Sequence, residues 1–86
     1  MTAAARFYER QCPGLGQRFL DEVERAMTFI QDMPEASPVI HSSVRRKLLR
    51  HFPHALLYRL EPGCIIVLAV MHLRRKPGYW KDRGAS

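Results

Sequence analysis

Four residues near the C-terminus combine groups that transfer protons with groups that bind phosphate: His72, Arg74, Arg75 and Tyr79. Metal-free cleavage of RNA needs a base for the 2′-hydroxyl, cations on the phosphate and an acid for the leaving oxygen. His72 or Tyr79 would transfer the protons while either arginine held the phosphate. His72 also ends an apolar segment, where a structural hydrogen bond is the simpler explanation. The four residues are therefore candidates for catalysis, with no ordered acid–base pair among them.

A second set of residues could bind a target protein or a nucleic acid. Its members are Arg45, Arg46, Lys47, Arg50, Arg59, Arg74, Arg75, Trp80 and Arg83. Residues 44–86 hold ten basic and two acidic residues, whereas residues 1–43 hold four basic and six acidic ones. Charge concentrated in one half predicts an acidic or polyanionic partner. Ordinary solubilising charge is the alternative explanation for the basic residues. Trp80 could stack on a base, or it could instead hold the C-terminal tail on the core.

No metal or cofactor is expected. His51 and His54 have a spacing that resembles a metal-binding pair, but Pro53 separates them and no acidic or cysteine partner is near. The cysteines, Cys12 and Cys64, form no CxxC pair and are expected to be reduced thiols. The N-terminus lacks the apolar stretch of a signal peptide, and no apolar run is long enough to span a bilayer. These features predict a cytoplasmic protein that does not bind membranes.

The elements that must position these residues begin with two helices in residues 1–33. Apolar side chains from Leu15 to Met33 recur at steps of three and four, and residues 3–11 form a shorter helix before the Pro13-Gly14 break. Together they predict a helical hairpin that packs on a sheet. Four charged residues fall outside the apolar stripe and predict a solvated face: Asp21, Glu22, Glu24 and Arg25.

Residues 44–72 predict a three-stranded antiparallel meander with strands over residues 44–50, 54–60 and 64–72. Residues 35–43 would be a surface connection, and residues 73–86 a basic tail. The third strand is the most apolar, so we expect it at the centre of the sheet with both faces covered. With only 86 residues, the chain is expected to form a single α+β domain.

The order of these motifs resembles the RelE/ParE toxin superfamily over nearly the whole chain. The matching elements are Gly14-Leu15-Gly16, Pro34, Val44-Arg45-Arg46, Arg50-His51-Phe52-Pro53-His54, Tyr58, Ile66 to Val70, His72 and Arg75-x-Pro77-x-x-Trp80-x-x-Arg83. The stretch Arg-x-Phe-Pro-x-x-x-x-Tyr, the later Ala-Val-x-His and the C-terminal Arg-x-Pro-x-x-Trp are similar to the ParE-like, or plasmid stabilisation, branch.

The resemblance implies the toxin of a type II toxin–antitoxin pair, neutralised by a cognate antitoxin encoded beside it. Members of the ParE type poison DNA gyrase by binding, and we expect this function. Members of the RelE type cleave mRNA in the ribosome, and their basic sheet and C-terminal aromatic residue match this chain loosely. An inactive member that only binds its antitoxin is a third interpretation.

The chain departs from the superfamily at its start. Members usually begin with a short strand before the helical hairpin, whereas this sequence begins within the first helix. Either the true start codon lies upstream, or the sheet lacks that strand. In the second case we expect an open sheet edge that pairs with an antitoxin segment or with a second copy of the chain.

Overall fold

The computed structural model describes residues 2–74, which contain two helices followed by four strands. In chain order they are α1 (Ala3–Gln11), α2 (Leu15–Asp32), β1 (Val39–His41), β2 (Val44–Leu48), β3 (His54–Glu61) and β4 (Cys64–His72). The strands form one antiparallel sheet in the order β1-β2-β3-β4. This arrangement confirms the predicted α+β fold with an N-terminal helical hairpin on a small sheet.

Local hydrogen bonds explain where the two helices begin and how they are joined. Thr2 caps α1, because its Oγ1 accepts a hydrogen bond from the backbone N–H of Ala5 at 3.2 Å. Gly14 has a φ of 88°, a left-handed conformation that glycine adopts without steric cost. The Glu9 carboxylate accepts bonds from the N–H groups of Gly14 and Gly16. One side chain of α1 therefore holds the turn into α2.

The two helices touch most closely at Gly16. A Cβ atom at this position would lie 2.5 Å from the carbonyl oxygen of Ala5 and 3.0 Å from Cβ of Glu9. Real side chains do not tolerate the first distance, so only glycine fits here. The close contact fixes the spacing of the hairpin.

The hairpin packs through its predicted apolar stripe, but mainly on β3. Phe19, Ala26 and Ile30 form a buried cluster with Leu56 and Tyr58. Val23 of the stripe and Ile65 of β4 are only half-buried against this cluster. The Tyr58 hydroxyl donates a 2.7 Å hydrogen bond to the carbonyl of Pro34, just after α2 ends. The apolar side chain and its polar end thus both join the helical layer to the sheet.

The number of strands differs from the prediction, because residues 39–41 form a fourth one. In β1, Val39 pairs with Arg45 and His41 with Val44, through a tight turn in which Ser42 has a φ of 49°. A strand of three exposed residues leaves no alternating pattern in the sequence. The segment predicted to be a surface connection is therefore partly an edge strand.

The predicted end of β2 at Arg50 was also wrong, since the strand ends at Leu48. The backbone N–H groups of Arg50 and His51 turn away from the sheet and bond to the Glu22 carboxylate. The Glu22 side chain of α2 therefore accepts the hydrogen bonds that a neighbouring strand would otherwise accept.

The expectation that the third predicted strand is central was wrong as well. That strand is β4, the last in the sheet, while β3 is the strand buried on both faces. Leu56 and Tyr58 of β3 face the helices, whereas Leu57 packs with Val44 and Met71 on the other face. Most residues of β4 are exposed or half-exposed. Apolar content alone thus did not identify the central strand.

Candidate functional site

The basic residues of β2 point to opposite faces of the sheet. Arg45 and Lys47 lie opposite Tyr58 and Leu56, on the side covered by the helices. Arg46 lies opposite Leu57 on the far side. Because side chains alternate along a strand, these predicted binding residues do not lie on one continuous surface.

Arg45 and Arg59 are engaged in contacts within the protein. Nη1 of Arg45 donates to the carbonyls of Glu35 and Ser37 at 3.1 and 2.8 Å, which holds the segment leading into β1. Nε of Arg59 donates to Oε1 of Glu61 at 2.7 Å in an ion pair open to solvent. Such a pair contributes little stability but lowers the charge available to a partner.

Arg46, Lys47 and Arg50 are less constrained. Nε of Arg46 is buried and has no hydrogen-bond partner among residues 2–74, which is an unfavourable state that a bound acceptor would relieve. Nζ of Lys47 lies 4.0 Å from the centroid of the Phe29 ring, a cation–π distance. Arg50 is exposed.

His72 and Arg74 lie at the C-terminal end of β4, beside a cleft under α1. The cleft has a volume of about 470 Å³ and is lined by Ala4, Phe7, Tyr8, His54, His72 and Arg74. The rings of His54 and His72 face each other edge-on with centroids 4.8 Å apart. The backbone N–H of Arg74 donates to Nδ1 of His72 at 3.0 Å. Two of the four predicted catalytic residues are thus adjacent, and Tyr8 and His54 join them.

Burial in this cleft favours the neutral forms of His54 and Tyr8. His54 is only 6% exposed, and burial, together with the charge of His72 nearby, lowers its pKa. Burial raises the pKa of Tyr8. Nδ1 of His54 has no hydrogen-bond partner in the described part of the chain. A neutral imidazole accepts a proton, so the arrangement offers a base next to a phenol.

His54 and Tyr8 were not among the residues that the sequence predicted for catalysis. The sequence did contain a signal for the contact between His54 and His72, because the two residues lie in strands joined by one short turn. Regular counting from the Glu61–Cys64 pair would place His54 opposite Met71, and the irregularity between Leu57 and Tyr58 shifts it to His72. Arg75, Tyr79, Trp80 and Arg83 lie outside the described residues.

Glu22 is the buried centre of a separate polar cluster between α2 and the segment after β2. Its Oε1 accepts from the N–H groups of Arg50 and His51 at 2.9 and 3.0 Å, and its Oε2 lies 2.7 Å from Nδ1 of His51. Burial tends to raise the pKa of Glu22, but these hydrogen bonds outweigh burial and lower it. The predicted solvated face was therefore wrong at Glu22.

Within residues 2–74, no three His, Cys, Asp or Glu side chains lie close enough to hold a metal ion. No helix in the same range is both long and apolar enough to cross a membrane.

Comparisons with known proteins give the family. Residues 1–77 match the family model of the ParE toxin of the type II toxin–antitoxin system parDE. No curated protein and no solved structure matches the chain. The matched range includes both helices, the whole sheet and the cleft beside His72. The chain therefore belongs to the ParE toxin family of type II toxin–antitoxin systems.

Proposed function

We propose that this toxin inhibits DNA gyrase by binding to it, and that a cognate antitoxin neutralises the toxin in the cytoplasm. The observation that carries the proposal is the outer edge of β4. The strand has nine residues, none of them Asp, Glu, Lys or Arg, and no strand among residues 2–74 pairs with its outer edge. Edge strands usually carry charges that block further pairing, so an uncharged edge is suited to a protein partner.

The side chains of β4 extend this edge into an apolar surface. Val67 is 43% exposed, and Leu68 and Val70 are exposed to a similar extent. Contiguous exposed apolar patches are typical of protein-binding sites. The same edge could pair with a second copy of the chain, which would make self-association compete with partner binding.

The gyrase proposal predicts loss of inhibition when charge enters the β4 surface. We expect the purified protein to inhibit plasmid supercoiling by gyrase, and Val67→Lys together with Val70→Lys to abolish inhibition, because burying unpaired ammonium groups at an interface is costly. Val39→Lys is the matched control, since Val39 is an exposed valine on β1 at the opposite edge. Supercoiling that is unaffected at any toxin concentration would contradict the proposal.

Cleavage of mRNA is the second candidate function. The cluster of Tyr8, His54, His72 and Arg74 favours it, because it supplies a base, a phenol and a cation in one cleft. We rank it second because Arg45 and Arg59, two of the residues predicted to bind a target protein or a nucleic acid, are bonded within the protein.

Expression in a bacterial host, followed by primer extension on mRNA, separates the two functions. We expect intact mRNA and accumulated DNA breaks, because a gyrase poison acts on the DNA–gyrase complex. Codon-specific cuts in mRNA that disappear in His72→Ala would instead support the nuclease. Removing a group that transfers protons typically lowers the rate by roughly 10²- to 10⁴-fold.

Neutralisation is proposed to involve the basic C-terminal half. An acidic antitoxin would be drawn to this half by its charge, and salt would slow the encounter. We expect Arg74→Glu to slow association several-fold in stopped-flow measurements, with most of the effect lost at high salt. Arg10→Glu is the control, because Arg10 is exposed on α1 in the half that is not basic. Equal slowing by both changes would indicate that net charge alone matters.

A further inference from the structure

Three cations from three different segments line a small cleft between α2 and β2. Arg25 comes from α2, Lys47 from β2 and Arg50 from the segment that follows β2. The cleft has a volume of about 270 Å³, and Phe29 and Leu48 contribute apolar walls. Arg25 was not among the binding residues that the sequence predicted.

Positive charge exceeds negative charge in this cleft, with three cations against the single carboxylate of Glu22. None of Arg25, Lys47 and Arg50 forms an ion pair with an acidic side chain among residues 2–74. Glu22 also lines the cleft, but its two carboxylate oxygens are bonded to the backbone of Arg50 and His51 and to the His51 ring. The cleft therefore attracts an anion from outside the described residues.

The walls of the cleft favour a peptide over a nucleic acid. Lys47 already covers one face of the Phe29 ring at 4.0 Å, so a base cannot stack on that face. Leu48 is 47% exposed, which offers a contact for an apolar side chain. The cleft is small enough to suit one or two side chains, and it lacks the row of aromatic rings that bind successive bases.

The backbone beside the cleft is also accessible to an extended segment. β1 pairs with β2 at Val44 and Arg45 only, and the N–H of Arg46 bonds to the carbonyl of Pro38. No described strand covers the outer side of β2 at Lys47 and Leu48. A short extended segment could therefore lie along β2 while its side chains enter the cleft.

We propose that this cleft binds an acidic and apolar segment of the antitoxin. A carboxylate of that segment lies among Arg25, Lys47 and Arg50, and a neighbouring apolar side chain packs on Leu48. Charge complementarity selects this occupant, because three cations without ion-pair partners border an apolar wall. The inference rests on the proposed function, since it specifies where the neutralising partner makes contact.

A binding experiment with synthetic peptides tests the cleft. The probe is a fluorescein-labelled peptide that alternates leucine with glutamate, titrated against the whole protein by fluorescence polarisation. Amide shifts in NMR spectra locate the bound peptide, and we expect them at Arg25, Leu48 and Leu49. A second peptide with glutamine in place of glutamate should bind at least about tenfold more weakly, because charge-assisted hydrogen bonds are lost.

Variants of the protein provide the second arm of the test. We expect Arg25→Gln with Lys47→Met to weaken binding of the glutamate peptide by about tenfold or more. Lys47→Met keeps an apolar chain over Phe29, and an unchanged melting temperature would show that the variant folds. Arg18→Gln is the matched control, because Arg18 is exposed on the same helix and does not line the cleft. This control should bind like the parent.

Several results would overturn the inference. They are the absence of peptide binding, equal binding of the glutamine peptide, an equal loss in Arg18→Gln, and larger shifts at the same amides with a single-stranded oligonucleotide. None of these measurements involves gyrase. A protein that binds the peptide but leaves supercoiling intact would contradict only the gyrase proposal, whereas the reverse result would contradict only the cleft.

Discussion

Replacing Phe19 by alanine is expected to unfold most of the protein at room temperature or to lower its melting temperature sharply. Phe19 is 1% exposed, and its ring contacts Tyr8, Phe52 and His54 with centroids 5.0–5.4 Å apart. Phe-to-Ala changes in cores cost about 3–5 kcal/mol, because apolar contact is lost and a cavity remains. A domain of this size has about 5–15 kcal/mol of stability in total, so the loss is a large fraction.

Thermal unfolding followed by circular dichroism measures this effect. Met27→Ala is the matched control, because Met27 is a large apolar residue on the same helix that is 41% exposed. The control should melt close to the parent. A Phe19→Ala protein that melts like the parent would show that the aromatic cluster does not hold α1 and α2 on the sheet.

The second large effect is expected at Glu22. Glu22→Gln removes a charged, buried acceptor from two backbone N–H groups and from the exposed His51 ring. Hydrogen bonds to charged groups contribute about 1.5–3 kcal/mol each, and an amide can replace only part of this. We expect about 2–3 kcal/mol of destabilisation at neutral pH, measured by urea unfolding. Glu24→Gln, an exposed change on the same helix, should have little effect.

The pH dependence identifies the charge as the cause. The pKa of Glu22 is lowered from 4.5 in the folded protein, so its contribution to stability is complete above that value. This contribution disappears as the pH falls below 4.5 and through the folded-state pKa. The gap in stability between the parent and Glu22→Gln should therefore close on acidification. A gap that stays constant down to acidic pH would mean that shape, and not charge, explains the loss.

His54 adds a separate loss of stability at higher pH. Burial, with the charge of His72, lowers its pKa from 6.5, so the unfolded chain takes up a proton before the folded protein does. Stability that is present above 6.5 is lost as the pH falls below this value. The parent and Glu22→Gln both contain His54, so both lose its contribution to stability over the same pH range. The difference in stability between the two proteins therefore reports on Glu22 alone.

Much of the fold was predictable because the longer elements carry strong local patterns. The period of α2 and the turn between β3 and β4 identified those elements from the residues alone. β1 was missed because three exposed residues form no pattern, and its pairing depends on β2. The central position of β3 was missed for a different reason. Burial on both faces depends on which strands become neighbours, and β4 is the more apolar strand.

The candidate sites were less predictable, because they combine residues from distant parts of the chain. His72 and Arg74 were identified by type, but Tyr8 and His54 reach them only through the packing of α1 and an irregularity in the pairing of β3 with β4. Arg25 was assigned to a solvated face, and it lines a cleft only because α2 crosses β2. Net charge indicated a basic half correctly, but it could not show that alternate residues of β2 face opposite sides.

The contact between Gly16 and Ala5 constrains how this sequence can change over time. A larger residue at either position would separate the helices, and it would also move Tyr8 away from the aromatic cluster and from the cleft. Substitutions on the inner face of α1 are therefore coupled to those at the start of α2. Arg6 and Arg10, which are exposed and do not line the cleft, carry no such restriction. The hairpin can thus acquire new surface chemistry on one side of α1 while its spacing stays fixed on the other.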